Sequence, residues 1–234
     1  MSTRGGGAAL IIAVALLLPS APASAQQTLN VSLGYFTLRG EDARVENDVL
    51  VDHRNTLEFE LADFNGPAIG AEWLVPLGGF IEAGAGVAFS RRTVPSVYSR
   101  LVDADGSEIE QDLRLRIVPL AFTMRVLPLG QGSPVQPYAG AGLGIFNWRY
   151  SETGEFVDDR NAIFREQYVA SGSTTGPIVL GGIRFAGDNA AVGFEVRYQS
   201  ADAELGGGFA AVDPNLRIDL GGWTYLVTAG WRTR

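Results

Sequence analysis

Apolar and polar residues alternate along several stretches of this chain. In one of them, Val192, Phe194, Val196 and Tyr198 are separated by small or polar residues. Successive side chains of a β-strand point to opposite faces, so strict alternation places each set on its own face. The pattern recurs after the first 25 residues and predicts eight strands, over residues 28–38, 56–75, 80–90, 113–126, 135–150, 176–185, 191–200 and 216–232.

Three of the predicted strands contain irregularities. The second is interrupted at Asn65-Gly66-Pro67, which we interpret as a bulge or kink. The fourth changes phase at Pro119, and the eighth changes phase after Gly221-Gly222. The sequence predicts that the apolar residues before these two phase changes face outward, namely Leu113, Leu115, Ile117, Leu216, Ile218 and Leu220.

The connections between the predicted strands are alternately long and short. The short ones begin near Pro76, Leu127 and Ala186, whereas the long ones are all charged and cover residues 39–55, 91–112, 151–171 and 201–215. Short turns on one side and long loops on the other are typical of bacterial membrane barrels. In lipid, a sheet must close because an open edge leaves backbone groups unpaired. The sequence therefore predicts an all-β fold, an eight-stranded antiparallel up-and-down transmembrane β-barrel.

The first 25 residues have the features of a cleavable signal peptide. Arg4 precedes an apolar run over residues 8–18, and Ala23-Ser24-Ala25 has the small-x-small form of a cleavage site. The run is too short to cross a ~30 Å hydrocarbon core as a helix. We therefore predict a signal peptide over residues 1–25, a barrel domain over residues 26–234, and Sec export to the cell outer membrane.

Aromatic residues cluster near the ends of the predicted strands, as expected for two interfacial girdles. Near the short turns the sequence places Trp73, Phe80, Tyr138, Phe185 and Trp231. Toward the long loops it places Tyr35, Phe89, Trp148, Tyr150, Tyr198 and Trp223.

Charge and cysteine content exclude several functions. The chain has 18 basic residues against 26 acidic ones, for a formal net charge of −8, which disfavours nucleic acid as a partner. It contains no cysteine, so disulfides, thiolate metal sites and thiol catalysis are excluded.

Two segments, PYAGAGLG at 137–144 and GFEVRY at 193–198, resemble strands of the small outer-membrane β-barrel family, which includes OmpA/OmpX-like and OmpW-like proteins. The resemblance implies a Gram-negative outer membrane, contact with its lipid and lipopolysaccharide, and insertion by the barrel assembly machinery. In this family the last strand usually ends on an aromatic residue, whereas here Trp231 is followed by Arg232-Thr233-Arg234. OmpW-like members also suggest a hydrophobic groove that opens sideways to the bilayer.

Charged residues at polar-face positions predict a charge network in the lumen. Its members are Glu72, Glu82, Arg114, Arg116, Arg125, Arg184, Glu195 and Arg197. Eight strands enclose a space that side chains can fill, and opposite charges inside it should pair. Two interpretations remain open at this point: a plugged, salt-bridged interior, or a narrow or gated pore.

The sequence predicts no metal site and no cofactor. Asp103 and Asp105 have the spacing that begins a calcium loop, but Glu108 stands where the conserved glycine of such a loop belongs. We therefore predict a turn at Asp105-Gly106. The glycines at 140, 142 and 144 lack the spacing of a nucleotide-binding loop and are predicted to face a crowded lumen.

Catalytic residues are not predicted either. His53 is the one histidine, and its neighbour Asp52 is adjacent in sequence, which rarely provides a base and its orienting group. The sequence therefore predicts a non-enzymatic barrel with a structural, surface-interaction or narrow-pore role and acidic extracellular loops, whose possible loop partner is unknown. The alternatives are an outer-membrane hydrolase of lipid or peptide, and a soluble secreted barrel that binds a small apolar ligand.

Overall fold

The computed structural model describes residues 27–158, 160–209 and 213–233, so the predicted signal peptide lies outside the described residues. A short helix α1 (Val49–His53) and two 3₁₀ turns (Glu41–Ala43 and Leu61–Phe64) accompany the strands. In chain order the strands are β1 (Gln27–Leu38), β2 (Leu57–Glu58), β3 (Gly66–Pro76), β4 (Ile81–Val102), β5 (Glu108–Val126), β6 (Val135–Val157), β7 (Ile163–Ala186), β8 (Ala190–Gln199), β9 (Asp202–Glu204), β10 (Arg217–Asp219) and β11 (Gly222–Thr233).

Eight of these strands form a closed antiparallel ring. Its order is β1–β3–β4–β5–β6–β7–β8–β11, and β11 returns to pair with β1 from Gln27↔Thr233 to Leu38↔Gly222. Every strand of the ring therefore has a neighbour on both sides, which satisfies the backbone groups that lipid cannot. The predicted fold class is confirmed.

The outer face of the ring carries a continuous apolar band. Every barrel strand contributes exposed large hydrophobic side chains, and Leu33, Phe122, Leu143 and Phe194 are each at least 57% exposed. Soluble monomers rarely expose contiguous apolar patches larger than a few hundred Å². This band is therefore the surface that contacts the hydrocarbon of a bilayer.

Most of the predicted girdle aromatics lie on this outer face, but three do not. Trp73, Phe80, Phe185 and Trp231 are exposed toward the periplasmic end, and Tyr35, Phe89 and Trp223 are exposed toward the other end. Tyr138, Trp148 and Tyr150 point inward and are at most 7% exposed, so their assignment to the girdles was wrong. The reason is the phase of β6, whose odd-numbered residues from Ala139 to Ile145 face lipid and whose even-numbered residues face the interior.

Two of the predicted long loops are paired strands over most of their length. The β4–β5 ladder continues to Val102↔Glu108, and the β6–β7 ladder continues to Val157↔Ile163. These hairpins extend beyond the apolar band on the extracellular side. The turn predicted at Asp105-Gly106 is present at the tip of the first hairpin, where Gly106 has a φ of 86° and donates its N–H to the Asp103 carbonyl.

Two predicted strands are shorter than expected. Residues 56–65 form β2 and a 3₁₀ turn over the mouth of the barrel instead of the first half of a membrane strand. Residues 217–219 form β10, which pairs with β9 in a separate two-stranded sheet. Leu216, Ile218 and Leu220 are at most 4% exposed, so their predicted outward orientation was wrong. They are apolar because they cover the mouth, and the change of phase at Gly221-Gly222 marks where the barrel wall begins.

Among the described residues, no helix has the length and apolar character that would let it cross a membrane.

Candidate functional site

Two layers of charged side chains fill the periplasmic half of the barrel interior. The layer nearer the periplasmic turns joins three strands, because Arg184 of β7 contacts Glu82 of β4 at 3.2 Å and donates its Nε–H to Gln136 Oε1 of β6 at 2.8 Å. Arg184 and Glu82 are each 4% exposed. This buried pair therefore links β4 to β6 and β7 through the lower interior.

The second layer is centred on Arg125 of β5, whose side chain is 1% exposed. Its guanidinium pairs with Glu72 of β3 and, at 2.9 Å, with Glu195 of β8. Arg197 lies 2.7 Å from Glu195, and the Tyr138 hydroxyl donates to the same carboxylate at 3.0 Å. Two arginines and two glutamates thus balance their charges inside the ring, as buried charges must.

Glycines in the wall provide the room for these layers. A Cβ at Gly84 would lie 2.7 Å from Glu72 Oε1, and a Cβ at Gly182 would lie 2.6 Å from the Tyr138 hydroxyl. Both distances are shorter than a van der Waals contact. The high glycine content of the strands therefore reflects large charged and aromatic side chains opposite them.

Six members of the predicted network lie together inside the barrel, and two do not. Arg114 and Arg116 are exposed on the outer face of β5. Their assignment to the lumen was wrong because β5 keeps one phase throughout, with odd-numbered residues inward on both sides of Pro119. Above Pro119 most apolar residues of β5 point inward and most polar ones outward. The strand has left the membrane there, so its outward residues meet water and its inward residues line the apolar upper interior. The backbone does not bulge.

A large cluster of apolar side chains lies in the extracellular half of the interior. Leu113, Leu115 and Ile117 point into it and are at most 5% exposed. Helix α1 folds into the mouth, where Val49 and Leu50 are fully buried against this cluster. The first loop therefore acts as a hydrophobic plug, which we call the α1 plug.

A buried ion cluster holds the α1 plug against the fourth loop. Asp48 caps α1 by accepting the N–H groups of Leu50 and Val51, and it accepts the Asp219 N–H at 2.7 Å. Arg44 donates two hydrogen bonds to Asp48 at 3.0 Å, and Arg39 pairs with Asp219 at 2.7 Å. Sequence reasoning missed this cluster. The acid directly before the apolar run 49–51, a typical helix N-cap, was the signal that could have found it.

His53 ends α1 and attaches the plug to the barrel wall. Its Nε2 lies 2.7 Å from Glu152 Oε1 of β6. The hydrogen bonds and ion pairs of the described residues place no serine or threonine hydroxyl on this imidazole. Among those residues no group of three or more His, Cys, Asp or Glu side chains is arranged to hold a metal. The geometry of His53 is that of an anchor for the α1 plug.

The pH dependence of this anchor follows from its environment. Burial lowers the pKa of His53, but the hydrogen bond and charge of Glu152, with smaller effects of Asp52 and Asp48, raise it above 6.5 overall. When the pKa of a group is higher in the folded state than in the unfolded state, the group stabilises the fold fully at a pH below its unfolded-state pKa. This stabilisation is lost as the pH rises through the folded-state pKa. We therefore expect the α1 plug to be held more firmly at about pH 5.5 than at about pH 8.5.

Hydrogen–deuterium exchange of residues 48–53, corrected for intrinsic rates, measures this effect. In the wild type, protection of the segment should fall between the two pH values. In a His53→Gln variant the two values should give similar protection. An equal fall in the variant would show that another group is responsible.

The β4–β5 ladder has a break beside Pro119, with the same register on both sides of it. The β4–β5 ladder pairs Val87 with Leu120 and resumes at Ser90↔Ile117, so residues 88 and 89 have no partner in β5. Pro119 has no N–H to donate, and proline within a sheet removes a ladder bond. On its other side Pro119 still pairs with Phe146, so the break affects the β4 side alone.

A cavity of about 40 Å³ lies at this break, at the boundary between the charged and the apolar halves of the interior. Its lining residues include Glu72 and Arg197, whose side chains face the interior, and Ile69, Val87 and Phe89, whose side chains face lipid. It has room for a few water molecules. Residues of both faces of the wall therefore border this cavity.

No protein-family model and no curated protein matches the chain. Among solved structures, the outer membrane protein OprG from Pseudomonas aeruginosa is similar with a TM-score of 0.55 and 13% identity, over 90% of this chain and 96% of that one. Neisserial surface protein A is similar with a TM-score of 0.41 and 12% identity, over 89% and 96%. Ail of Yersinia pestis is similar with a TM-score of 0.40 and 14% identity, over 89% and 99%.

The similarity to OprG is one of fold. Together with the closed ring and the apolar band, it shows that this chain has the fold of a small membrane-spanning β-barrel. The predicted resemblance to small outer-membrane β-barrels is confirmed at the level of the fold, and it supports the predicted outer-membrane location.

Proposed function

We propose that this protein is a non-enzymatic outer-membrane barrel that passes small apolar molecules sideways between its upper interior and the bilayer. The break in the β4–β5 ladder beside Pro119 carries the proposal, because the cavity there is lined both by interior and by lipid-facing residues.

The chemistry of the two halves of the interior supports a sideways route. Transfer of an apolar molecule from an apolar site to water costs about 0.8 kcal/mol per methylene. The Arg125 and Arg184 layers below the break are charged and bonded across the ring, so they offer such a molecule no favourable path to the periplasm. The lipid beyond Val87 and Phe89 offers it a favourable path.

Entry from outside requires the α1 plug to move, because Val49 and Leu50 occupy the apolar mouth. The plug is held by the contacts of Asp48 and His53, which are polar and lie at the outer end of the barrel. The barrel wall need not unfold for it to be displaced. The filled interior also supports low ion conductance, which argues against the narrow-pore role.

An engineered disulfide across the break tests the proposal, since the chain has no cysteine of its own. In an Ala88→Cys/Pro119→Cys variant the bond would close the gap. We expect uptake of a fluorescent fatty acid into liposomes that contain the oxidised variant to fall to the level of empty liposomes, and to recover after reduction. Ala83→Cys/Met124→Cys, in an intact part of the same ladder, is the matched control and should not respond to reduction.

Two results would contradict the proposal. One is unchanged uptake in the oxidised Ala88→Cys/Pro119→Cys variant, which would favour a structural or surface-interaction role. The other is a large, stable, porin-like conductance of the wild type in planar bilayers, which would show that the interior is an open aqueous channel.

A further inference from the structure

Three arginines stand side by side on the outer face of the barrel. Arg91 of β4 is the cross-strand partner of Arg116 of β5, and Arg116 is the partner of Arg149 of β6. All three are exposed. We call Arg91, Arg116 and Arg149 the arginine row.

The arginine row is unfavourable unless an anion binds to it. Directly opposite residues in a sheet have Cβ atoms about 5 Å apart, where like charges destabilise the pairing. The ion pairs of the described residues include none of the three. Asp112, an outward-facing acid farther up β5, forms no ion pair with the row either. The chain has a net charge of −8, so a row of three neighbouring arginines without carboxylate partners departs from its overall acidic character.

The height of the row is that of the outer-leaflet headgroups. Below it, the outward rows on the same three strands are apolar, from Ile81–Val126–Ala139 to Val87–Leu120–Ile145. The ten residue steps from Ile81 to Arg91 cover about 34 Å along the strand, or about 26 Å along the membrane normal at a tilt of about 40°. Because the apolar band of such barrels is about 25 Å tall, the row lies at its upper edge.

We propose that the arginine row binds the phosphate groups of a phosphorylated lipid in the outer leaflet. Arginine guanidiniums bind phosphate through paired, charge-assisted hydrogen bonds. The acyl chains of such a lipid would lie on the apolar rows directly below, against Val87, Leu120 and Phe89. Arg114 stands one position higher, where its Nε–H donates to Thr93 Oγ1 at 3.0 Å, and it flanks the site.

A lipid explains the position of the row better than a free anion does. The phosphates of an outer-leaflet lipid are fixed at this height and present at high local concentration, whereas an anion in solution would bind equally well to arginines on the distal hairpins. The site does not depend on the proposed sideways transfer, because it uses the outer face of the wall and not the interior.

The test compares binding of diphosphoryl lipid A by the full chain in detergent micelles, with EDTA present, measured by native mass spectrometry. The variant is Arg91→Gln/Arg116→Gln/Arg149→Gln. The matched control, Arg100→Gln/Arg160→Gln/Arg165→Gln, removes the same charge from exposed positions nearer the hairpin tips. The gel mobility of boiled and unboiled samples verifies that all three proteins are folded.

We expect the row variant to bind diphosphoryl lipid A at least about tenfold more weakly than the wild type, while the control stays within about twofold. The wild type should bind dephosphorylated lipid A more weakly by a similar factor, and inorganic phosphate alone should not compete with the diphosphoryl form. Four results would each overturn the proposal. The row variant could bind as tightly as the wild type, or both variants could lose the same affinity. Dephosphorylated lipid A could bind as well as the diphosphoryl form, or inorganic phosphate could compete fully.

Discussion

Replacement of Arg125 by methionine is expected to lower the free energy of unfolding by about 3–5 kcal/mol. Arg125 is 1% exposed and pairs with both Glu72 and Glu195. Methionine occupies a similar volume but leaves the two carboxylates inside the barrel with Arg197 as their one remaining cation in this layer. Urea unfolding in lipid vesicles, followed by tryptophan fluorescence, measures the loss.

A second variant separates lost packing from unpaired charge. When Glu72→Gln is added to Arg125→Met, Glu195 keeps Arg197 as its partner at 2.7 Å, the charges of the layer balance again, and most of the lost stability should return. A single Arg125→Met variant as stable as the wild type would show that the charges of this layer do not depend on each other. Failure of the Arg125→Met/Glu72→Gln double variant to recover would mean that the volume of Arg125, not its charge, supports the ring.

Substitution of Leu143 by arginine is expected to cost about 2–4 kcal/mol of folding free energy in a bilayer. Leu143 is 66% exposed on the outer face of β6 and lies in the row Ala85–Phe122–Leu143, midway up the apolar band. A guanidinium there has no partner and must stay in hydrocarbon or distort the bilayer. The yield of folded, heat-modifiable barrel in vesicles and its urea midpoint report the effect.

The same strand provides a depth control. Asn147→Arg introduces the same side chain on the same face of β6, immediately below Arg149, where the cost should fall to about 0–1 kcal/mol. Similar losses for the two variants would contradict the position of the membrane along the barrel. That position also determines the height of the arginine row.

The lower half of this barrel could be predicted from sequence because one physical rule applies there. Lipid surrounds the wall, so every outward residue from Ile81 to Val87 is apolar, and inward residues such as Glu82 are free to be charged. Strict alternation then determines the face of each residue. Glu72, Glu82, Arg125, Arg184, Glu195 and Arg197 were placed in the interior on this basis alone.

The upper half did not follow the same rule because its solvent changes. Above the membrane the outward face of β5 meets water, so Arg114 and Arg116 are outside, and the apolar residues Leu113 and Leu115 cover the interior. Side chains still alternate between the two faces, but here the inward ones are apolar and the outward ones are polar. In the sequence this exchange looks the same as the phase change that a bulge produces. Proline at 119 favoured the bulge interpretation, although it marks a break in hydrogen bonding instead.

The α1 plug and its ion cluster were beyond sequence reasoning for a different reason. Asp48 and Asp219 are brought together from opposite ends of the chain, and the residues around each of them give no indication of this contact. Their contact depends on the ring being closed first. Among the features of the mouth, the N-cap of α1 alone was visible in the sequence.

The seam between β1 and β11 has a consequence for biogenesis. Leu29 faces Trp231, so the first and last strands meet across almost the whole polypeptide. Until the final strand has been synthesised and delivered, β1 lacks one of its two neighbours, and a growing chain has no stable partial ring to adopt. The ring can therefore close only after the last strand has been synthesised, because the pairing of β11 with β1 completes it.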